Sequence, residues 1–270
     1  MKLTVACSPC PNDTFMFHDL AVGRLRMPDR PIEMHLHDVE ALNRSALEGT
    51  YDVTKVSFHA YLLVRDRYEL LSVGAALGFG CGPVVVSKRP LETDGPDALA
   101  GARVAVPGEL TTAHLLLRLW APRAADRVFA RYDRIMDLVA AGEADAGVVI
   151  HEGRFTYAQR GLRLVADLGQ WWQGRTGLPI PLGGIVARKS LGGPVIRQFE
   201  ALLGRAVRNS LEHPEDTHEY VRQYAQEMDA AVLAEHIRTF VNDYSLDLGR
   251  DGRAAVEKLR ELAAEAGVIG

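Results

Sequence analysis

The 270-residue sequence predicts an α/β fold of two lobes. Short apolar runs, typical of buried strands, alternate with segments whose apolar residues recur at helical spacing. The length also favours two lobes, since single hydrophobic cores stop growing near roughly 250 to 300 residues. Two apolar runs have the character of strands that cross between lobes. We expect residues 1–86 with 187–270 to form a first α/β lobe and residues 87–186 an inserted second α/β lobe, with a ligand cleft between them.

The first lobe is predicted to open with a strand, a rigid turn and a helix. Residues 3–7 are apolar, and the prolines of Ser8-Pro9-Cys10-Pro11 exclude a regular helix at the turn. Asn12 is expected to cap a helix that runs to about Gly23. The next predicted elements are a half-buried strand at 32–36, a helix capped by Asp38 and ended by Gly49, a strand at 52–56, a helix capped by Ser57, a strand at 70–76 and a first crossing strand at 83–86.

The second lobe is predicted to continue the alternation of strand and helix. Its elements are a strand at 103–106, a helix beginning near Thr111 and Thr112, a strand at 128–132, a helix capped by Asp133 and ended by Gly142, a strand at 145–150, a strand at 162–168 and a return crossing at 179–187. From Pro194 onward the pattern is helical to the end of the sequence. A C-terminal helical return therefore completes the fold.

Composition and charge exclude several classes of function. The formal net charge is only −4 and the sequence holds no basic block, so we expect neither nucleic acid nor an anionic membrane surface as a partner. No apolar run reaches the roughly 18 residues that a membrane span needs, and the first residues lack the apolar core of a signal peptide. We expect a soluble, cytoplasmic protein. Three cysteines are too few for a disulfide scaffold in a chain of this length.

His151 is the candidate acid or base. It follows a β-branched run bounded by Gly147 and Gly153, which predicts a buried strand that ends in a loop. Ligands of open α/β sheets bind outside the carboxyl ends of the strands, so an imidazole at this place is suited to proton transfer. The alternative is a histidine that is a satisfied structural group or a solvated one.

Two predicted helix starts carry polar groups suited to a carboxylate. One follows Lys55 and Ser57, and the other is at Thr111 and Thr112. The N–H groups of a helix N-terminus bind anions readily, although such hydroxyl residues are by default helix caps, and Lys55 has the alternative of being a surface charge. Together with His151, these groups predict a small-molecule carboxylate ligand held beside a base.

Other motifs have simpler explanations. Cys7 and Cys10 have the spacing of a redox pair, but a buried strand residue and a turn residue account for them, and we expect Cys7→Ser to have only a mild packing effect. His35 and His37 lack an evident third metal ligand, so no metal site is predicted. The Gly78-x-Gly80-x-Gly82 run opens no helix, and Trp171-Trp172 pack between lobes or cover an aromatic ligand.

Several motifs form a combination that is more specific than any one of them. They are Ser8-Pro-Cys-Pro-Asn-Asp-Thr-Phe15, Asp52-Val-Thr-Lys-Val-Ser57, Val106-Pro-Gly108 with Thr111-Thr112, Ile150-His-Glu152 with Arg154-Phe155, and Arg175-Thr-Gly-Leu-Pro179. With Val241-Asn242 and Ser245-Leu-Asp247, the chain resembles the 1,4-dihydroxy-6-naphthoate synthases, menaquinone-pathway enzymes, over nearly its whole length.

The resemblance implies a fold like that of type II periplasmic binding proteins, with a double crossover hinge. It implies His151 as proton acceptor and a substrate site formed by Lys55, Val56, Ser57, Thr111 and Thr112. Val56 stands where other members have leucine. Gly153 stands where we expect a serine, so the loop beside His151 departs from the family pattern.

The resemblance also implies a carbon–carbon lyase of the futalosine pathway. Such an enzyme converts cyclic dehypoxanthine futalosine to 1,4-dihydroxy-6-naphthoate and dihydroxyacetone. A histidine is matched to proton abstraction at neutral pH, and such an elimination needs no metal or organic cofactor. Two rival functions stay open: the sibling chorismate dehydratase of the same pathway, and a non-catalytic protein that binds a small carboxylate.

Overall fold

The computed structural model describes residues 2–91, 95–226 and 229–269. The chain divides into two compact units, the first formed by residues 1–78 with 181–253 and the second by residues 79–180 with 254–270. The second unit thus includes the C-terminal residues, which the sequence analysis kept in the first lobe. Helical periodicity marks the apolar face of a helix but does not say on which core that face packs.

Strands and helices alternate over much of the first two thirds of the chain, although four strands between residues 68 and 106 follow one another without an α-helix in the described residues. Helices follow to the end. The strands are β1 (Leu3–Cys7), β2 (Ile32–Leu36), β3 (Val53–Ser57), β4 (Tyr68–Leu70), β5 (Ala76–Gly78), β6 (Val84–Ser87), β7 (Val104–Val106), β8 (Arg127–Phe129), β9 (Ala146–Val149), β10 (Arg163–Asp167) and β11 (Ile180–Arg188). The helices are α1 (Pro11–Ala21), α2 (Val39–Glu48), α3 (Phe58–Val64), α4 (Thr112–Trp120), α5 (Ile135–Ala141), α6 (Gly153–Thr156), α7 (Leu168–Thr176), α8 (Gly193–Glu212), α9 (His218–Tyr224), α10 (Ala230–Phe240), α11 (Asp243–Leu246) and α12 (Gly249–Glu265).

The first unit contains a mixed sheet. Its strand order is β2-β1-β3-β11-β4, and β5 pairs with β11. Strand β1 runs parallel to β2 and β3, whereas β11 runs antiparallel to β3 and β4. Side chains of the sheet and of helices α1 and α8 form one hydrophobic core, which includes Leu3, Val5, Phe15, Phe17, Ile185, Phe199 and Leu203. This sheet positions Lys55 and Ser57, which lie on β3.

The predicted strand at 70–76 is wrong in its bounds. Strand β4 ends at Leu70 and β5 begins only at Ala76, although Leu71 and Val73 between them are buried in the core. The interruption has a local cause at Gly74, whose φ of 77° is left-handed and whose missing side chain leaves room for Ile185. A left-handed residue cannot continue an extended strand, so the ladder breaks there.

The helix starts follow local capping chemistry with two differences from the prediction. Asp38 caps α2 as predicted, since its carboxylate accepts the backbone N–H groups of Glu40 and Ala41. Helix α1, however, begins at Pro11 with Cys10 at the N-cap position, so Asn12 lies inside the first turn. Proline at the first helical position is pre-organised for a helix. The helix therefore starts nearer to the N-terminus than predicted.

The other difference lies at α5. This helix begins at Ile135 after a short 3₁₀ turn that contains Asp133, and the carboxylate of Asp133 pairs with Arg131 instead of capping the helix. The helix ends at Gly142 in the left-handed conformation, as the sequence predicts.

The second unit contains its own sheet, with the strand order β10-β6-β9-β7-β8. Strand β7 runs parallel to β8 and β9, whereas β6 runs antiparallel to β9 and β10. Apolar side chains of the sheet and of α5 form its core, which includes Val84, Val86, Ala105, Ile135, Val139 and Val149. Among the described residues, no helix combines the length and the apolar character that crossing a membrane requires.

Candidate active site

His151 lies two residues beyond the end of β9, at the carboxyl end of a strand, as the sequence predicts. It is half-buried, and the edge of its ring meets Tyr132 with ring centroids 4.8 Å apart. Its φ of 55° is left-handed, and no other non-glycine residue in the described ranges has a positive φ. Strained backbone of this kind persists only where the surrounding structure imposes it and concentrates at functional sites.

Arg154 anchors the turn that follows His151. Its side chain is nearly buried, and its guanidinium donates to the carbonyl oxygens of Gly80 and Gly82 and, at 3.4 Å, to the Asp167 carboxylate. Its own backbone N–H donates to the carbonyl of His151. A planar guanidinium that bonds three acceptors fixes the start of α6 and hence the position of the histidine.

Gly153 has a packing role in this loop. A Cβ atom there would lie 2.6 Å from Cγ1 of Val149 and 3.3 Å from Cε of Met136. The serine expected from the family pattern would therefore need a small outward shift of α6 in this chain. The close packing of Gly153 on Val149 is consistent with a glycine at this position. His151 keeps its place beyond the end of β9.

Lys55 and Ser57 lie two residues apart on β3, so their side chains project from the same face of the sheet. The Lys55 ammonium, on a side chain that is nearly buried, donates to Oδ1 of Asp13 at 3.0 Å. Asp13 is the one hydrogen-bond partner of this ammonium within the described ranges, so two of its three N–H donors stay available to a ligand.

Ser57 is also buried and keeps a free donor. Asn43 accepts from the Ser57 backbone N–H at 2.8 Å and donates from Nδ2 to the Ser57 hydroxyl oxygen at 3.1 Å. The hydroxyl hydrogen has no acceptor in the part of the chain that the structure describes. Ser57 stands at the N-cap position of α3 but makes no side-chain cap bond, contrary to the predicted cap. The Val56 side chain is fully buried on the opposite face, so its part in a substrate site stays a prediction.

Thr111 and Thr112 form the start of α4, as predicted. The Thr111 hydroxyl accepts from the His114 N–H and donates to the carbonyl of Gly108, so it serves the helix as a cap. Nδ1 of His114 donates to the carbonyl of Glu109 at 2.7 Å. Burial lowers the pKa of His114 from its ordinary value, which keeps the ring neutral. The first N–H groups of a helix have no partner within the helix, and at the start of α4 the Thr111 hydroxyl takes that of His114.

The predicted site residues fall into two groups, one in each unit. Lys55, Val56 and Ser57 belong to the first unit, whereas Thr111, Thr112 and His151 belong to the second. The common cleft stays a prediction.

Two residues that support the site were missed from the sequence. Asp13 and Asn43 hold Lys55 and Ser57 from other elements, 42 and 14 residues away along the chain. The only signal for Asp13 was its place in the Ser8 to Phe15 motif, and Asn43 gave none.

The cysteines give no support to a redox site. Cys7, Cys10 and Cys81 are buried, and none of the three forms a disulfide bond. Burial raises the pKa of Cys7 well above its ordinary value and that of Cys81 to about 12, which disfavours the reactive thiolate. The described residues contain no cluster of three His, Cys, Asp or Glu side chains arranged to hold a metal ion. Trp172 is fully buried and donates to the carbonyl of Pro179, so it packs within the second unit.

Two mixed sheets flanked by helices, with polar groups at strand ends, define the class of protein. The fold is the α/β fold of periplasmic binding proteins: the alkanesulfonate-binding protein of Xanthomonas axonopodis pv. citri matches with a TM-score of 0.71 at 14% identity, over 100% of this chain and 94% of that chain. Residues 3–265 match the family model described as menaquinone biosynthesis, and the chain belongs to that family.

Full-length relatives agree with the family. A protein of Thermus thermophilus named 1,4-dihydroxy-6-naphtoate synthase is 51% identical over 95% of this chain and 92% of its own length. A protein of Streptomyces coelicolor with the same name is 44% identical over 99% of this chain and 94% of its own. A solved structure from Archaeoglobus fulgidus matches with a TM-score of 0.92 at 39% identity, over 99% of this chain and 98% of that one. The chain is thus an enzyme of menaquinone biosynthesis.

Proposed function

We propose that this enzyme converts cyclic dehypoxanthine futalosine to 1,4-dihydroxy-6-naphthoate and dihydroxyacetone. It would act in the cytoplasm as a carbon–carbon lyase of the futalosine pathway and would need no cofactor. The name shared by two relatives that match nearly the full chain supports the product, and the sequence motifs around the site support the substrate.

His151 is the general base in this proposal. The observation that carries it is the left-handed backbone of His151 at the carboxyl end of β9. A non-glycine residue in this conformation is uncommon, and its strain of roughly 1–3 kcal/mol is maintained where position matters. Tyr132 at the ring edge and the Arg154 anchor behind the turn support a fixed imidazole.

The donors on β3 suit the substrate carboxylate. Lys55 and Ser57 present N–H and O–H groups that the described part of the chain leaves unused, on one face of the sheet. A set of donors without acceptors favours an oxygen-rich, acidic ligand. The N–H groups at the start of α4, with Thr111 and Thr112, would bind another oxygen of the same substrate.

The chemistry follows from these roles. His151 removes a proton from the substrate, and the carbon–carbon bond to the three-carbon fragment breaks with its electron pair leaving on that fragment. The fragment takes up a proton to become dihydroxyacetone, and the bicyclic ring becomes aromatic. Aromatisation supplies driving force. A positioned general base typically contributes about 10²- to 10⁴-fold to such a step.

Product formation by the parent and by His151→Ala is the test. We expect the parent to release the dihydroxynaphthoate and the variant to be slower by about 10²-fold or more. His213→Ala, at an exposed histidine, is the matched control and should keep the parent rate. Circular dichroism checks that all three proteins are folded.

Three results would contradict the proposal in different ways. An active His151→Ala would remove the base assignment alone. A parent that binds the substrate without turning it over would indicate a binding protein. Consumption of chorismate in a parallel assay would indicate the sibling dehydratase.

A further inference from the structure

We propose that Asp13 is a positioning residue that aims the Lys55 ammonium at an acidic oxygen of the substrate. The inference rests on the proposed function, because it takes Lys55 to be a substrate contact. It adds a residue that neither the motifs nor the comparisons assign to the site.

The Asp13 carboxylate is held from four directions. Its exposed fraction is 0%, and both its oxygens are occupied. Oδ2 accepts from the backbone N–H of Ser8 at 3.1 Å and from the Ser8 hydroxyl at 2.7 Å. Oδ1 accepts from Nδ2 of Asn12 at 2.9 Å and from Nζ of Lys55 at 3.0 Å. A carboxylate fixed by so many donors is a rigid reference point for the lysine.

The hydrogen-bond network continues behind Asp13. Oδ1 of Asn12 lies 3.0 Å from Nε2 of His236, which is fully buried. Since the Asn12 amide nitrogen donates to Asp13, its oxygen faces the histidine, and Nε2 of His236 must carry a proton. His236 therefore donates to the oxygen of the Asn12 amide, and the nitrogen of that amide donates to Asp13. These two bonds fix the orientation of the Asn12 amide.

Lys55 is confined as well as paired. Its exposed fraction is 6%, and its stem passes Gly183 of β11, the residue opposite Ser57, where a Cβ atom would lie 3.1 Å from Cε of Lys55. The glycine leaves the space that the lysine stem occupies. A lysine ammonium is a point charge on a flexible stem, so it needs such confinement to aim its donors. Asp13 accepts one of the three N–H donors of the Lys55 ammonium, and the other two stay available to a ligand.

This arrangement separates binding from chemistry. Lys55 would bind a carboxylate oxygen of the substrate, which takes no part in the bond that breaks, so it would stabilise the ground state and the transition state alike. Loss of such uniform binding raises KM and leaves kcat nearly unchanged. A charged hydrogen bond contributes about 1.5–3 kcal/mol, which corresponds to a rise in KM of roughly 10- to 150-fold.

A double-mutant cycle tests the inference. The proteins are the parent, Asp13→Asn, Lys55→Met and Asp13→Asn/Lys55→Met, assayed for kcat and KM with cyclic dehypoxanthine futalosine. We expect each single variant to raise KM by about tenfold or more with kcat within about threefold. In the Lys55→Met background, Asp13→Asn should change KM no further, because Asp13 acts only through the ammonium.

Two further variants complete the design. Glu33→Gln removes the carboxylate of an exposed ion pair with Lys2 in the same unit, and it should leave KM at the parent value. Asp13→Glu keeps the negative charge and should restore part of the affinity that Asp13→Asn loses. If Asp13→Asn does not fold, Asp13→Glu takes its place in the cycle: the displaced carboxylate should raise KM above the parent value when Lys55 is present and should not change KM in the Lys55→Met background.

The failures can be told apart. A parent without turnover contradicts the proposed function. An unaffected Lys55→Met removes Lys55 from the substrate site. If Lys55→Met is impaired and Asp13→Asn is not, or if the two changes add in the double variant, Asp13 has no positioning role and the inference is wrong.

Discussion

His151 adopts a backbone conformation that an L-residue avoids unless its surroundings require it. The left-handed region costs most residues about 1–2 kcal/mol, and histidine is among those that tolerate it better than average. Three residues separate the end of β9 from the start of α6, and the second of them, His151, takes this conformation. Glycine would take it without strain. A histidine at this position supports the proposal that the imidazole has a function.

The strain at His151 predicts a separation of stability from activity. His151→Gly should be more stable than His151→Ala by about 1 kcal/mol, because alanine keeps the left-handed strain and glycine does not. Both variants should be equally impaired in turnover. Thermal unfolding of the two variants measures the difference. Equal stability, or a less stable glycine variant, would show that the loop relaxes and that the conformation is not imposed.

Sequence reasoning identifies residues of this kind only in part. The position of His151 at a strand end is visible because apolar runs and glycines mark the strand. The φ angle of His151 could not be predicted from the sequence, since many loops of the same composition avoid the left-handed region. Lys55 and Asp13 each lie in a motif, but their pairing was not visible, because it joins two elements whose spacing in the chain fixes no distance.

At the scale of elements, helix α7 is packed through one of its two glycines. A Cβ atom on Gly169 would lie 2.9 Å from the backbone nitrogen of Gly82 and 3.0 Å from its Cα. Gly174, in the same helix, is exposed and has nothing within 4 Å of such an atom. The two positions differ in packing and share the same helix, which makes them a matched pair.

Alanine at the two positions should change stability in opposite directions. Gly169→Ala places a Cβ atom against the backbone of Gly82, which cannot move aside as a side chain can, so we expect it to destabilise the second unit by about 2 kcal/mol or more. Gly174→Ala should stabilise it by about 0.5–1 kcal/mol, the helix propensity difference. Trp171 and Trp172 lie on this helix, and their fluorescence during urea unfolding measures both effects. A neutral Gly169→Ala would contradict the close approach.

Elements were predictable where local chemistry decides them. Asp38 and Gly49 bound α2 through a carboxylate cap and a left-handed glycine, both of which are read from residue type. The start of α1 was placed at Asn12 instead of Pro11 because two good signals compete within two residues. The prediction of one strand at 70–76 was wrong because Gly74 is left-handed and packs closely on Ile185, which is distant in the sequence.

At the scale of the whole molecule, the order of strands and helices was enough to predict the fold class. Periodicity indicates the series of strands and helices, the two apolar crossing strands and the helical C-terminal part. The similarity of the fold to periplasmic binding proteins confirms the predicted class. The membership of residues 254–270 in the second unit did not follow from the pattern. Packing partners of a helix depend on shape and on contacts that one sequence does not reveal.

The distribution of tryptophan gives the second unit its own probe. The sequence contains three tryptophans, and Trp120, Trp171 and Trp172 all lie in that unit. Tryptophan fluorescence therefore reports its unfolding and not that of the first unit. This unit also contains His114, whose pKa burial lowers.

That lowered pKa makes the stability of the second unit depend on pH. In the folded chain His114 resists protonation, whereas in the unfolded chain it binds a proton near its ordinary pKa of about 6.5. The unfolded state then holds more protons, so stability is unaffected above the ordinary pKa and is lost as the pH falls below it, towards the lowered value. One proton limits the slope to about 1.4 kcal/mol per pH unit.

Urea unfolding followed by tryptophan fluorescence, between about pH 5 and pH 8, measures this dependence. His114→Asn keeps a donor for the carbonyl of Glu109 and removes the titrating group, so its free energy of unfolding should fall less steeply at acidic pH than that of the parent. His213→Gln, at an exposed histidine, should keep the parent slope. The same slope in His114→Asn and in the parent would assign the acid sensitivity of this unit to other groups and would contradict the role given to the buried His114 ring.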